Sequence, residues 1–532
     1  MKKNVRKILM TLGLATTMFL TGCGNSNKAS NVETEKIFRF AQANPKLGLD
    51  MQLSTNSGSS SIASSIVEPL LKWTEDNELI PLLITGFPTV SEDGLTYSFE
   101  LKEGVKFHNG ATLTSEDVKF TFERMFNPET GAKSTYMYDM IKGSKEMLAG
   151  EATELSGFKI EDDRHFTIEV TEPNAVFVKN LGIDYAGIFP KEACEEAGEN
   201  WGKGTDIIGT GPYKIESNDD TTKVVLVRND EYHGGTPNLD KVEVLYIDDA
   251  NTKLLEYEKG NIDACDLPAD LLQQYKNNDE FKDEINYYSS LGTFILNLNL
   301  NNEDLSDEKV REAISLAINR EELVKTILNE SGIVASGFLN ANIPGFDESE
   351  EPYEYNPEKA KELLKEAGKE NLKLTAKIRS RDQLVMVALQ GYLQNIGITL
   401  DVQIIDNGVW SSEWAEGSID ATLVGWYPLY ADADNQMYSY FYSDSAKSKS
   451  SFYNNPEFDA LMLEARQISD EDKRTELYKK ANNILSLDDY GTIPLYYPIS
   501  QFMAKPYVKN MKVGNLIYRF YDVDIDLEAK NK

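Results

Sequence analysis

Three histidines, three cysteines and a large excess of carboxylates are the groups in this 532-residue chain that could do chemistry. His108, His165 and His233 lie far apart. His108 sits beside an Asn109-Gly110 turn, and His165 opens a strand-like stretch. An imidazole held by a neighbour accounts for each better than a catalytic or ligating role, because catalysis needs a paired base or nucleophile close by. No His-Glu-x-x-His, no phosphate-binding Gly-x-x-x-x-Gly-Lys-Ser/Thr and no Gly-x-Ser-x-Gly elbow occurs. The serines of 58–61 (GSSS) sit where a loop enters a helix, so they read as turn and cap residues. The residues therefore predict no metal, no cofactor and no enzyme. With 87 Asp+Glu against 54 Lys+Arg the net charge is −33, which excludes a nucleic-acid partner, since neutralising phosphates takes clustered cations. Most of those carboxylates must form solvated faces.

The N-terminus carries the strongest single signal. Lys2, Lys3, Arg6 and Lys7 precede a mostly apolar stretch over 8–20, too short to span a bilayer and typical of a secretory leader. It ends in Leu20-Thr21-Gly22-Cys23, which resembles a bacterial lipobox. The expectation is a signal peptide over 1–22, acylation of Cys23, and a small, polar, flexible tether over 23–35. Cys194 and Cys265 remain. An extracytoplasmic site permits a disulfide, but two unpaired buried thiols are the expectation.

These groups must be held by a mixture of strands and helices. Apolar alternation predicts strands over 37–43, 95–101, 165–170, 223–227, 242–247, 293–300, 372–378, 399–405, 419–425 and 493–497. Helical spacing predicts helices over 60–73, 114–125, 251–259, 307–318, 320–328, 382–394, 408–416, 456–468 and 471–485, and one opened by Asn356-Pro357 and stopped at Gly368. With 41% hydrophobic residues there is material for packed cores, and the length suits about three domains or one large domain with insertions. Clear linkers are absent, which favours domains assembled from discontinuous segments.

Five segments in order resemble the extracytoplasmic solute-binding proteins of ABC importers, in the oligopeptide/dipeptide/nickel-binding family. They are 101–110 (LKEGVKFHNG) with 114–118 (TSEDV), 209–213 (GTGPY), 307–320 (DEKVREAISLAINR), 355–364 (YNPEKAKELL), and Gly425-Trp426 with Asp432, Asp434 and Asn435 beyond. Taken by themselves, these residues suit turns and core faces. The resemblance implies an α/β, two-lobed, periplasmic-binding-protein-like fold with discontinuous lobes and an extra domain on the first lobe. Lobe I would comprise 36–59, 186–290 and 498–532, the extra domain 60–185, and lobe II 291–497. Crossings are expected over 288–295 and 495–501, with the lobes closing on ligand by hinge motion.

The same resemblance implies an oligopeptide ligand, a membrane permease as partner, a membrane link through the lipid, and a monomer. Binding would use backbone edges near 55–59 (with Asn56 and Gly58) and at 425–427 (Gly425, Trp426, Tyr427), because main-chain bonds give affinity without side-chain selectivity. Trp410 and Trp426 would line the cleft. Arg379 and Arg381 lie where relatives carry basic residues, suited to a ligand carboxylate. Peptide-binding relatives place an Asp three residues after the Trp, to hold the ligand's ammonium. Here that residue is Leu429, and Asp432 is a candidate substitute. A non-peptide solute, such as a nickel chelate or sugar, and a peptide-sensing receptor are the other readings of this scaffold.

Overall fold

The computed structural model describes residues 33–532 except 47, 55 and 352. The leader, Cys23 and the tether up to residue 32 lie outside the described residues.

A 12-stranded mixed sheet runs through the whole molecule. One end is built from Tyr213–Asn218, Lys223–Arg228, Lys241–Tyr246, Ile37–Gln42 and Ala264–Asp266. The other is built from Thr293–Leu298, Ala421–Trp426, Lys373–Ile378 and Thr399–Ile404. The 12-residue strand Ile493–Ala504 joins them. Its first residues pair antiparallel with Thr293–Leu298 and its last with Ala264–Asp266, while Ile285–Ser289 and Gly332–Val334 pair along its length. The chain thus passes between two lobes along 285–298 and again along 493–504.

Separate apolar cores identify the lobes. Phe38, Phe40, Ile66, Phe122, Phe166 and Val242 belong to the first. Leu296, Ile314, Ile378 and Leu389 form one core of the second, with another around Ile295, Met437, Phe441 and Phe458. A four-stranded antiparallel sheet (Thr89–Val90, Thr96–Glu100, Phe158–Ile160, His165–Glu169) lies beside the helix Ser115–Phe126 and shares the first core. That helix starts where its capping residues predict: the Thr114 N–H donates to Asp117 Oδ2 at 2.9 Å.

Of the elements that differ from the sequence reading, four bear on how the lobes are joined. The helix expected over 60–73 ends at Ala63, and Leu71–Trp73 is a strand. Pro69 disfavours helix before it. The carbonyls of 65, 66 and 68 instead accept from the N–H groups of Tyr213, Gly211 and Ile188. Gly209 and Gly211 make this approach possible, since a Cβ on Gly209 would lie 2.0 Å from the Ile66 carbonyl oxygen. The helix expected over 320–328 is α-helical only at Arg320–Glu322 and continues as a π-type turn over Leu323–Ile327. The final strand runs seven residues beyond 497, because a second set of partners takes over after Pro498. The helix Ala433–Phe441 was not anticipated. Cys194 and Cys265 are both buried and unpaired.

Candidate functional site

Between the lobes lies a cavity of about 980 Å³. Its second-lobe wall comes from the loop and helix start at 379–387 and from the strand end at Leu423, Gly425 and Tyr427. Its first-lobe wall includes Ala269, Asp270 and Leu516. A chamber of about 270 Å³ adjoins it through Phe294, Tyr427 and Tyr496, and another of about 270 Å³ lies around Asn56, Gly58 and Tyr518.

The strand Ala421–Trp426 presents an edge here. It is paired along its length with Thr293–Leu298, but on its other side only Ala421 is in register with Lys373–Ile378, through Ala376. Beyond that point the second edge diverges from its neighbour, and alternate residues 423, 425 and 427 face the cavity. Gly425 allows the strand to pass Phe294, whose ring would lie 2.7 Å from a Cβ there. Phe294 stacks on Tyr496 with ring centroids 4.7 Å apart. Tyr427 lies over Gly292, and burial raises its phenol pKa.

The two arginines are not equivalent. Arg379 Nε donates to Asp382 Oδ2 at 2.6 Å, its Nη2 to the Leu423 carbonyl at 3.2 Å, and its guanidinium lies 4.0 Å over the Trp410 ring. It is locked into the wall. The Arg381 side chain is 70% exposed, and its nearest carboxylate, the already engaged Asp382, is 3.9 Å away. Although its surface is open to solvent, the surrounding cleft walls partly desolvate it, and with the adjacent Arg379 charge this lowers the Arg381 pKa. Its donors are the ones available to a ligand anion.

The tryptophans do not line this cavity. Trp410, on the helix Asn407–Ala415, is buried, and its Nε1 donates to Thr422 Oγ1 at 2.9 Å. It supports Arg379 from behind. Trp426 points to the opposite face of its strand from Gly425 and Tyr427. It packs edge-on against Tyr440, and its Nε1 donates to the Gln436 carbonyl at 3.1 Å. Asn56 and Gly58 border the smaller chamber but are engaged: Asn56 Oδ1 accepts from the Gly58 N–H at 2.8 Å, and the Gly58 carbonyl from Gln42 Nε2 at 3.1 Å.

Asp432 is not among the residues that line the cavity. It is buried and caps the unanticipated helix, accepting from the Asp434 N–H at 2.9 Å. Its other oxygen meets Lys179 Nζ of the first lobe at 2.5 Å and Arg474 Nη1 at 3.2 Å. Burial pushes its pKa up, but the Arg474 and Lys179 charges more than offset this and leave it lowered. Around it, Tyr430 stacks on Trp73 at 4.8 Å and donates to Asn180 Oδ1 at 2.8 Å, so this cluster ties the lobes together. The signal for it was present in sequence: an Asp followed by apolar residues at 437, 440 and 441 is a capped amphipathic helix. Leu429, the departure from the relatives' Asp, packs against the first-lobe core.

The histidines are structural. His108 accepts from the Gly209 N–H and its Nε2 bonds the Gly211 carbonyl at 2.9 Å, clamping the glycine loop. His165 and His233 pair with Asp162 and Glu68. Among the described residues no cluster of His, Cys, Asp and Glu could hold a metal ion.

Comparison with known proteins places this cleft in a family. The profile of the bacterial extracellular solute-binding proteins, family 5 (middle), matches residues 78–448. The dipeptide-binding protein of Escherichia coli is 27% identical over 86% of this chain and 88% of its own length. The oligopeptide-binding protein AppA of Bacillus subtilis is 27% identical over 95% of both chains. The solved Helicobacter pylori DppA, an ABC transporter-associated periplasmic binding protein in complex with the peptide STSA, superposes with a TM-score of 0.81 at 27% identity. It covers 92% of this chain and 99% of its own. These relatives bind solutes rather than transform them, and the fold is the two-lobed binding-protein fold inferred from the sequence. The chain belongs to the family 5 bacterial extracellular solute-binding proteins, and it is a binding protein, not an enzyme.

Proposed function

We propose that this chain is the lipid-anchored, extracytoplasmic binding component of an ABC importer. It captures oligopeptides in the interlobe cleft by hinge closure and hands them to a membrane permease. The observation that carries this is the cavity of about 980 Å³ that combines an open strand edge with the exposed Arg381 guanidinium, which has no carboxylate closer than 3.9 Å. An extended peptide can add to the edge at 425–427 through its main chain, which serves any sequence, while Arg381 grips the carboxylate. The roomy, hydrated remainder tolerates varied side chains. In this reading Cys23 carries the lipid, the tether ends before Glu33, which ion-pairs with Arg39 and Lys530 of the folded body, and the mature protein acts as a monomer. Relatives named for dipeptides and oligopeptides, and one solved with a bound peptide, support the ligand class.

The test is thermal stabilisation by a mixture of short random peptides, with small-angle scattering to follow closure. Stabilisation and compaction are expected. No response to peptides, with a response to a nickel–histidine chelate or a sugar, would overturn the ligand class. Arg381→Gln is expected to weaken peptides with a free carboxylate about tenfold while leaving their C-terminal amides unchanged. Equal weakening of both would remove Arg381 from that role.

A further inference from the structure

The described residues 64–185 include the four-stranded sheet and its helix, yet none of them lines the main cavity or either smaller chamber. What this part of the first lobe does instead is grip the second. Tyr430 lies on Trp73 with the ring planes 9° apart, and its hydroxyl reaches Asn180. Lys179 Nζ meets Asp432 and, at 2.9 Å, Glu471. The Ala175 N–H donates to the Arg466 carbonyl at 2.7 Å. The gripped loop, 428–432, follows directly from the strand edge at 425–427 that faces the cavity. Loop and cavity also open on the same side. Lys373–Ile378 and Ala421–Trp426 run parallel, so 379–387 and 427–432 leave the same end of the second-lobe sheet. Ile37–Gln42 and Ala264–Asp266 run parallel in the first lobe. The chain leaving their ends supplies Ala269 and Asp270 of the cavity wall and, after the helix Ser57–Ala63, residues 64–185. A hinge at the two crossings that widens the cavity therefore also parts the loop from Trp73, Asn180 and Lys179.

We infer that residues 428–432 are a closure latch and that residues 64–185 are its keeper, so this part of the first lobe governs closure without touching ligand. The inference rests on the hinge-closure reading above. Apart from the Ala175–Arg466 bond, the contacts are made by side chains, which separate without unfolding either lobe. When they part, Asp432 keeps Arg474 of its own lobe as partner, so no carboxylate is left buried alone. Lys179 passes into water, where an ammonium is well solvated. Ligand enters only when the lobes stand apart, and the latch adds to the closed arrangement alone. It therefore tightens every ligand by one common factor, whatever the ligand's sequence or termini. Arg381 differs in kind, because its contribution depends on the group the ligand presents to it.

The experiment pairs calorimetric titration with urea unfolding of the ligand-free protein. Lys179→Met removes the ion pair across the seam and leaves Asp432 on Arg474; Tyr430→Phe removes only the hydrogen bond to Asn180. The ligands are two tetrapeptides of unrelated sequence and the C-terminal amide of one of them. Each variant is expected to weaken all three by the same factor, about fivefold, with faster dissociation. A permanent structural contact would behave differently in urea. The latch is undone while the lobes stand apart, so the ligand-free midpoint of each variant stays at the parent's value. A lowered midpoint, unchanged affinities in both variants, or weakening of only one or two of the three ligands overturns the latch. Failure of every ligand to bind the parent overturns the peptide-binding reading instead, and the midpoints then decide the latch alone.

Discussion

Replacing Asp432 separates a ligand-binding carboxylate from a structural one. Its side chain is 5% exposed and faces Arg474, which is 1% exposed, and Lys179, which is 19% exposed. Removing one partner of a buried ion pair costs about 3–5 kcal/mol, because the other charge stays buried. Glu471 offsets part of this, since it reaches Lys179 at 2.9 Å and Arg474 at 2.8 Å. Loss of the helix cap adds about 1 kcal/mol. Asp432→Ala is therefore expected to lose about 4 kcal/mol of unfolding free energy. Asp432→Asn, which still caps, should lose about 3 kcal/mol. Urea unfolding followed by tryptophan fluorescence measures both. Acid supplies a check of sign. A carboxylate with a lowered folded pKa stabilises above its unfolded pKa, near 3.9, and that contribution is lost as pH falls through the folded value. The gap between the parent and Asp432→Asn should therefore close below about pH 4. If Asp432→Ala unfolds within 1 kcal/mol of the parent yet selectively loses peptides with a free ammonium, the structural assignment is wrong.

Two further outcomes follow from buried groups. Burial lowers the His108 pKa from 6.5 to about 4, so the unfolded chain takes up the proton first. Stability from this residue is full above about pH 6.5 and falls by up to about 3 kcal/mol as the pH drops to 4. His108→Gln should flatten that part of a pH–stability profile measured by thermal unfolding, and an unchanged slope would refute the assignment. Burial pushes the Cys194 thiol up to about 12 and raises Cys265 as well, so a thiol-specific chromogenic reagent should leave both unmodified in the native protein and label both in denaturant.

Much of the fold was legible because alternation and capping signals are local. The strand Lys373–Ile378, the helix after Asn356-Pro357 and the start at Thr114 all sit where their residues indicate. The failures have physical causes. Apolar residues at 62, 63, 66, 67 and 70 follow helical spacing, but the carbonyls of 65 and 66 are claimed by a loop nearly 150 residues away in the chain. The site was less legible. Gly425, Tyr427 and Arg381 face the cavity, but Trp410 and Trp426 have indole N–H groups satisfied inside the second lobe, and no spacing rule reveals which face of a strand a partner helix covers.

The long strand Ile493–Ala504 also governs how the molecule is made. It lies between Ala264–Asp266 and Thr293–Leu298, so the sheet has a gap at its middle until the last fraction of the chain has been synthesised. Contacts this remote in sequence slow folding, since the loop between them must be closed before they repay its entropy. A nascent chain lacking its final forty residues thus holds two unfinished half-sheets with bare edges, and a late stop codon would leave neither jaw with a complete seam.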